Sequence, residues 1–525
     1  MKHEAAVPFR TLSGIPALAR GLASGSEEVS AFLPDSWNAD AITSRARDVL
    51  ARFHPRDARR VDPALADLAR GGMAGIFTGQ QVGLFGGPLL TLVKALAAVK
   101  LAAEVVAGPP LAPVFWCASE DHDLVEVTRF VLPGEEGPVD AGPDAAPLQQ
   151  NRRPVGDLRI EIDLAALLDR AAAGLPAADG EARERLLAFH AGQTYREAFV
   201  ATLGWLAGEP SLRFADGARV ADKPDLVPLA TRIIRERDTV RRLLAGRNAA
   251  LEAAGHPLQV KNDPDVLPLF VITGGERFVL REERGRLHLK GATDERGLTP
   301  EEVVARLESG TFLPSFSALT RPLAASVLYP VAATILGPAE IGYWAQSYPL
   351  FEWAGIVPPV LVPRPMVAPL SSSGRRALAR FGFGVADALE GPAALLSRAG
   401  ARRAGAALDG VRETRRVALA SLDRLGPELF AIDAALARAL EATRKNVAFA
   451  LQKLEEKAAQ AAGRADEAVA AQIRRLSEEI TPGGELAERV YTAVPWLLRY
   501  GRDGLVGPLK QGLRWNVPGL QVIEL

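Results

Sequence analysis

The stretch Phe77-Thr78-Gly79-Gln80-Gln81-Val82-Gly83-Leu84-Phe85-Gly86-Gly87-Pro88-Leu89-Leu90-Thr91-Leu92-Val93-Lys94 constrains this chain more than any other. Gly75-Ile76-Phe77 is short, apolar and preceded by small residues, the pattern of a strand buried in a parallel sheet. Gly79, Gly83, Gly86 and Gly87 strip side chains from the loop that follows. Pro88 suits a first helical position, where a missing N–H costs nothing, and the helix should run to about Glu104. Strand, glycine loop and helix in this order aim backbone N–H groups at whatever sits above the strand, an anion cradle. Lys94 lies nearly two turns into the helix. Helical side chains lean toward the N-terminus, so its ammonium can reach back to a bound phosphate or carboxylate, with Thr91 on the same face. The spacing is neither that of a Walker loop nor that of a dinucleotide fingerprint. A tight structural turn without ligand is the alternative; the adjacent amides Gln80 and Gln81 weigh toward substrate hydrogen bonding.

At 525 residues the chain exceeds one simple core, and about two to four domains are expected. A net charge of −1 argues against broad nucleic-acid binding. No apolar run approaches a membrane span, and Met1-Lys2-His3-Glu4 lacks the apolar stretch of a secretion signal. The expected compartment is the cytoplasm. The lone cysteine, Cys117, excludes an intramolecular disulfide and a cysteine-based zinc site.

Pro113-Val114-Phe115-Trp116-Cys117-Ala118 reads as a second buried strand, ending in Ser119-Glu120-Asp121-His122-Asp123, with Glu126 beyond. Parallel strands place their carboxyl ends on one edge, so this cluster should share the crevice with the glycine loop. His122 can exchange a proton near neutral pH, Asp121 or Asp123 can orient it, and Ser119 can hydrogen-bond substrate. Metal ligation is the competing use and a solvated acidic turn the bland one. No metal is assigned, because the six histidines offer no second cluster.

Further on, residues 158–162 read as a strand, 212–216 as a third core strand with a terminal Asp, and 226–253 as one helix. Strands around 259–261, 268–272, 277–280 and 286–289, with Gly274-Gly275 as a hairpin turn, make a β-rich patch on the main sheet. Gly337-Pro338 starts another helix; Glu340 falls in its first turn, where the dipole favours a carboxylate, and shares a face with Tyr343 and Ser347, beside Trp344. In 373–480, Gly426-Pro427 reads as a break between two long helices. Leu440, Val447, Leu454, Ala461 and Ala468 repeat every seven residues, with Leu451, Ala458 and Ala465 as companion seam. That is a coiled-coil hairpin, an element that usually joins subunits. Its arginines, among them Arg412, Arg415 and Arg416, fit a solvated face; a transfer-RNA-binding arm is the alternative. The expected organisation is core 1–133, first insertion 134–205, core 206–235, second, β-rich insertion 236–318, core 319–372, coiled-coil hairpin 373–480, and a C-terminal segment 481–525 packing on the core.

Three of these stretches resemble, in order and spacing, the signatures of the bacillithiol-biosynthesis cysteine-adding enzymes, the BshC family. They are Thr78-Gly79-Gln80-Gln81-Val82-Gly83 with Gly87-Pro88-Leu89 and Lys94; Phe115-Trp116 with Ser119-Glu120-Asp121-His122-Asp123; and Gly337-Pro338-Ala339-Glu340-Ile341 with Tyr343-Trp344-Ala345-Gln346. The resemblance implies an α/β fold: a Rossmann-like parallel-sheet core with inserted connecting-peptide domains and a C-terminal coiled coil forming a homodimer, distantly like class I aminoacyl-tRNA synthetases. It implies a ligase adding cysteine to glucosaminyl malate through an amide bond, the last step of bacillithiol synthesis. ATP is the expected activator, with Mg as its companion; no nucleic-acid or membrane partner is expected. The expected catalytic set is His122, Asp121, Asp123 and Ser119. The expected substrate contacts are Thr78, Gly79, Gln80, Gln81, Gly83, Gly86, Gly87, Lys94, Glu120, Arg321, Gly337, Glu340, Tyr343, Trp344 and Gln346. The chain departs from the family pattern after Arg321-Pro322, where Leu323-Ala324-Ala325-Ser326 stands in place of an expected Gln-Asp pair. The rival readings are an adenylate-forming nucleotidyltransferase with another acceptor and a non-catalytic coiled-coil scaffold.

Overall fold

A computed structural model of the chain describes residues 6–525 apart from 34–35, 58, 135–136, 145, 174, 176–177, 262, 293–295, 404 and 465–466. In chain order its strands are β1 (Ala74–Gln80), β2 (Leu111–Cys117), β3 (Val131–Pro133), β4 (Pro138–Asp140), β5 (Arg213–Asp216), β6 (Val266–Thr273), β7 (Glu276–Glu283), β8 (Arg286–Leu289), β9 (Leu313–Phe316), β10 (Val331–Leu336), β11 (Val360–Pro363), β12 (Met366–Leu370) and β13 (Leu520–Glu524). Five of them, in the order β11-β10-β1-β2-β5, form one parallel sheet. The apolar run that predicted a buried strand at β2 is covered along nearly its whole length, and β10, which the sequence reading did not mark as a strand, is buried throughout. The fold is α/β, with a Rossmann-like core.

β1 runs through Gly79 and Gln80, past the predicted end at Phe77. Gly79 therefore belongs to the strand and sits opposite Trp116 of β2. A Cβ there would lie 2.7 Å from the Trp116 carbonyl oxygen, so the missing side chain serves close strand pairing. From β1 the chain passes through the helix Leu89–Glu104 to β2, and later to β5 on that side; it returns to lay β10 and β11 on the other. The boundary between β1 and β10 is thus a topological switch point, where open α/β sheets hold their ligands.

A second, antiparallel sheet has the order β8-β7-β6-β9. Gly274 and Gly275, with φ of 58° and 80°, make the predicted hairpin turn, whose two central residues need left-handed backbone. The sequence reading missed β9, and residues 259–261 are not a strand: Gln346 holds them through side-chain bonds to the Gln259 and Val260 N–H groups and the Val260 carbonyl. Residues 158–162 make only an isolated bridge, Arg159 with Thr194. The single helix predicted for 226–253 is two, Lys223–Arg235 and Arg237–Ala253, separated at Glu236. The glycine- and proline-rich stretch after Pro133 folds back on the turn that follows β2. There the Val155 and Gly156 N–H groups bond the Asp121 and Ser119 carbonyls, and Asn151 Nδ2 bonds the His122 carbonyl.

The coiled-coil hairpin comprises helices Gly405–Ile432 and Leu436–Arg464. Gly426-Pro427 does not break the first helix, which continues to Ile432; the turn falls at Asp433. Ion pairs Arg412–Glu455 at 2.6 Å and Arg444–Asp423 at 2.8 Å set the antiparallel register. Leu440, Val447, Leu451 and Ala458 are half-buried along the seam, but Leu454 is 50 % exposed and Ala461 is exposed. A straight helix drifts by about 20° per heptad against a strict seven-residue repeat, which turns the later members out of the seam. Ala465 lies outside the described residues. Among the described residues no helix is long and apolar enough to cross a membrane. The C-terminal segment packs back on the core through the buried ion pair Arg364–Glu488 at 2.7 Å and through β13, which pairs with β12.

Candidate active site

A cavity of about 610 Å³ opens at the carboxyl edge of the parallel sheet, over the switch point. Its walls come from the end of β1 and the helix after it, the turn after β2, the antiparallel insertion, the helix Arg321–Leu328, β10 and the helix Pro338–Ala354 that follows it. Of the residues singled out in the sequence, it is lined by Thr78, Gly79, Gln80, Gln81, Lys94, Asp121, His122, Arg321, Gly337, Glu340, Tyr343 and Trp344.

The others point elsewhere. Gly83, Gly86 and Gly87 do not line the cavity. Five N–H groups of the loop and the helix start are bonded within the protein: Gly83 to Gln81 O, Gly87 to Leu84 O, Leu89 to Tyr491 O, Thr91 to Pro88 O, and Phe85 to His190 Nε2. The loop instead packs against the helix Tyr195–Ala207, where a Cβ on Gly86 would meet Thr202. Ser119 turns under the sheet edge and bonds Asp216, in contact with Gly156. Glu120 is fully buried in an ion pair with Lys223 at 2.8 Å, and its other oxygen accepts the Phe316 N–H of β9. It ties the insertion to the core. Asp123 is exposed and caps the short helix Leu124–Thr128 through the Glu126 N–H. Gln346 is buried and holds residues 259–260, as described above.

Lys94 does reach back to the strand end, but its ammonium finds protein partners there. Nζ lies 2.6 Å from Glu340 Oε2, 2.9 Å from the Gly79 carbonyl and 3.1 Å from Gln80 Oε1. Burial pushes the ammonium pKa down, with the Glu340 charge opposing. Glu340 also accepts the Gly337 N–H at 2.6 Å, closing the first turn of its helix. The pair thus braces β1 against the helix after β10. Burial, then the charge of Glu340, pushes the Tyr343 phenol well up, so Tyr343 presents a hydroxyl to the cavity.

The insertion supplies a cavity residue that the sequence reading did not single out. Arg277 of β7 is buried, and its guanidinium lies 3.7 Å from the Phe270 ring centroid. It donates to Ser315 Oγ at 2.9 Å and the Phe316 carbonyl at 3.3 Å, and reaches Asp121 Oδ1 at 3.3 Å and His122 Nδ1 at 3.1 Å. Burial works to raise the Asp121 carboxyl, but Arg277 and Arg321 outweigh it and hold it below the usual carboxylate range. Burial and then Arg277 push His122 down. The expected orientation of His122 by a carboxylate is corrected: Asp121 Oδ1 is 3.7 Å from Nδ1, and the close partner is a cation. Glu126, noted in the sequence but given no role, is an exposed residue that lines the cavity and accepts Gln81 Nε2 at 2.7 Å; partial loss of solvent on that side, then Asp123 and Asp121, pushes its carboxyl up. Arg364 and Arg489 complete the lining, and the Arg489 guanidinium has no hydrogen bond or ion pair among the described residues. Ala325 and Ser326, where the family pattern is broken, also face the cavity; Ser326 Oγ is committed to the Pro322 carbonyl at 3.1 Å. No group of three or more His, Cys, Asp or Glu side chains among the described residues is placed to hold a metal.

Comparison with known proteins matches the same architecture. The bacillithiol biosynthesis BshC N-terminal Rossmann-like domain matches residues 40–365, and the BshC C-terminal coiled-coil domain matches 370–516. Relatives named "Putative cysteine ligase BshC" include those of Solibacter usitatus, 32% identical over 84% of this chain and 83% of the relative, and Koribacter versatilis, 31% identical over 84% and 82%. That of Geobacillus kaustophilus is 31% identical over 82% and 80%. The chain belongs to the BshC family.

Proposed function

We propose that the protein is a ligase that joins the carboxyl group of cysteine to the amine of glucosaminyl malate by an amide bond. The observation that carries this reading is the convergence of all three signature segments on one cavity, with Arg277 and Arg321 facing it from outside the core sheet. A volume of about 610 Å³ suits two small polar metabolites held side by side. Both bear carboxylates, and the cationic lining of Arg277, Arg321, Arg364 and Arg489 complements them.

A carboxylate and an amine do not condense unaided at neutral pH, so the carboxyl needs activation, which ATP with Mg would supply. The residues suited to its phosphates are Arg321 and Arg489, which line the cavity where Gly83, Gly86 and Gly87 do not. When the amide forms, the amine nitrogen bonds the acyl carbon, the activated oxygen leaves with its phosphoryl or adenylyl group, and the nitrogen sheds a proton. The chain's part is to hold both reactants, keep the amine unprotonated and stabilise charge on the acyl oxygen. The exposed apolar residues of the hairpin support self-association as a homodimer.

Purified protein with cysteine, glucosaminyl malate and Mg-ATP should give, by mass spectrometry, one product of the summed mass less one water. Omission of ATP should abolish it. Absence of that product with every substrate present refutes the reading, and pyrophosphate release with cysteine and ATP alone would favour an adenylate-forming enzyme with another acceptor.

A further inference from the structure

The two ring nitrogens of His122 have different surroundings. Nδ1 lies 3.1 Å from Arg277 Nη1. A guanidinium carries only donors, so Nδ1 must accept, and the single proton of the neutral ring sits on Nε2. Arg277 cannot turn away easily. Its Nε is held by Ser315 Oγ at 2.9 Å, its Nη2 by the Phe316 carbonyl at 3.3 Å, and its face by Phe270. The charged groups facing the ring are Arg277 from β7, Asp121 and Asp123 from its own turn, and Arg152 from the segment that folds back over that turn. A base acting through Nε2 would need its proton on Nδ1, against a buried cation. The geometry therefore removes His122 from the role of proton acceptor and leaves it an N–H donor in the cavity wall. The same cavity holds a carboxylate suited to the vacant role. One oxygen of Glu126 accepts Gln81 Nε2 at 2.7 Å, and partial loss of solvent, then the charges of Asp123 and Asp121, disfavour its ionised form.

We propose that Arg277 is a positioning residue that locks His122 as the Nε2–H tautomer, so that His122 donates a hydrogen bond to an oxygen of the bound acyl group while Glu126 takes the proton. The identity of the acyl group rests on the ligase reading; the tautomer does not.

Long-range ¹H–¹⁵N correlation spectra of protein labelled at its six histidines read the tautomer directly, with His122→Gln identifying the signal. At neutral pH the expected pattern is an unprotonated Nδ1 and a protonated Nε2, titrating below 6.5. Arg277→Met should mix the tautomers and move the midpoint back toward 6.5. A proton on Nδ1 in the wild-type protein overturns the proposal, whether or not the ligase reaction is observed and whether or not Arg277→Met folds. In turnover, His122→Gln offers the same acceptor and donor through its amide and should retain kcat to within about tenfold. His122→Ala should lose about 10²- to 10³-fold. Glu126→Gln should lose about 10²- to 10⁴-fold in kcat with KM little changed. A His122→Gln enzyme as slow as His122→Ala would make His122 the base and refute the division of roles.

Discussion

Phe85 has a left-handed backbone, φ 53°, in the middle of the glycine loop, and gives its N–H to His190 Nε2 at 3.0 Å. Such a backbone costs about 1–3 kcal/mol at a non-glycine residue, and persists because its surroundings hold it. His190 is buried, and its Nδ1 lies 2.8 Å from the Leu186 carbonyl. With Nδ1–H donating and Nε2 accepting, the ring is neutral, and burial pushes its pKa down to about 4 from the ordinary 6.5. Between those values the unfolded chain binds a proton that the folded chain does not, so stability falls as pH falls through that window, by up to about 3 kcal/mol. Thermal unfolding followed from pH 6.5 to 4 should show this loss, and His190→Gln should flatten it. A wild-type slope no steeper than the variant's would show that the loop does not depend on the neutral ring.

The long helix of the hairpin carries Pro427 inside it. Proline lacks the N–H that would bond the carbonyl four residues earlier and crowds it, which costs a helix interior about 3 kcal/mol. Elsewhere that would end the helix, as the sequence suggests. Here the partner helix Leu436–Arg464 packs alongside, and the pair Arg444–Asp423 holds the turn just before the proline. Pro427→Ala should therefore stabilise the hairpin by about 1–3 kcal/mol, read as a higher melting midpoint by circular dichroism at the helical minimum. An unchanged or lower midpoint would mean that the proline fits a bend the packing requires.

At the scale of the whole molecule, the hairpin exposes Phe430, Ile432, Phe449 and Leu454 at 62%, 76%, 62% and 50%. Large apolar side chains left exposed along one hairpin, none of them lining the cavity, favour a second copy of the chain as their cover. Sedimentation velocity should find a dimer, and Phe449→Glu with Leu454→Glu should convert it to monomer without changing the helical content. A wild-type protein that sediments as a monomer across the micromolar range would remove dimerisation from the account. The active-site cavity also depends on this scale. Arg277 arrives from a sheet inserted far along the chain, and Glu120, held in place by its buried pair with Lys223, accepts the Phe316 N–H and ties that insertion to the core. Breaking such a pair by removing one partner typically costs about 3–5 kcal/mol.

Much of the core was readable from local patterns. Apolar runs closed by glycines and a proline mark β1, β2 and the helices after β1 and β10, because burial and backbone geometry act over a few residues. Parallel strands then put Gln80, Asp121, His122 and Glu340 on one edge, and the structure places all four in the cavity lining. What each group faces could not be read that way. Five N–H groups of the glycine loop and helix start go to Tyr491, His190 and near neighbours, Lys94 is met by Glu340, and Ser119 and Glu120 are turned to Asp216 and Lys223. Arg277 sits in an ordinary strand pattern with nothing local to mark it. Hydrophobic periodicity and turn chemistry are local and survive in the order of residues. Hydrogen-bond partners, tautomers and shifted proton affinities depend on groups tens or hundreds of positions apart, and only packing brings those together.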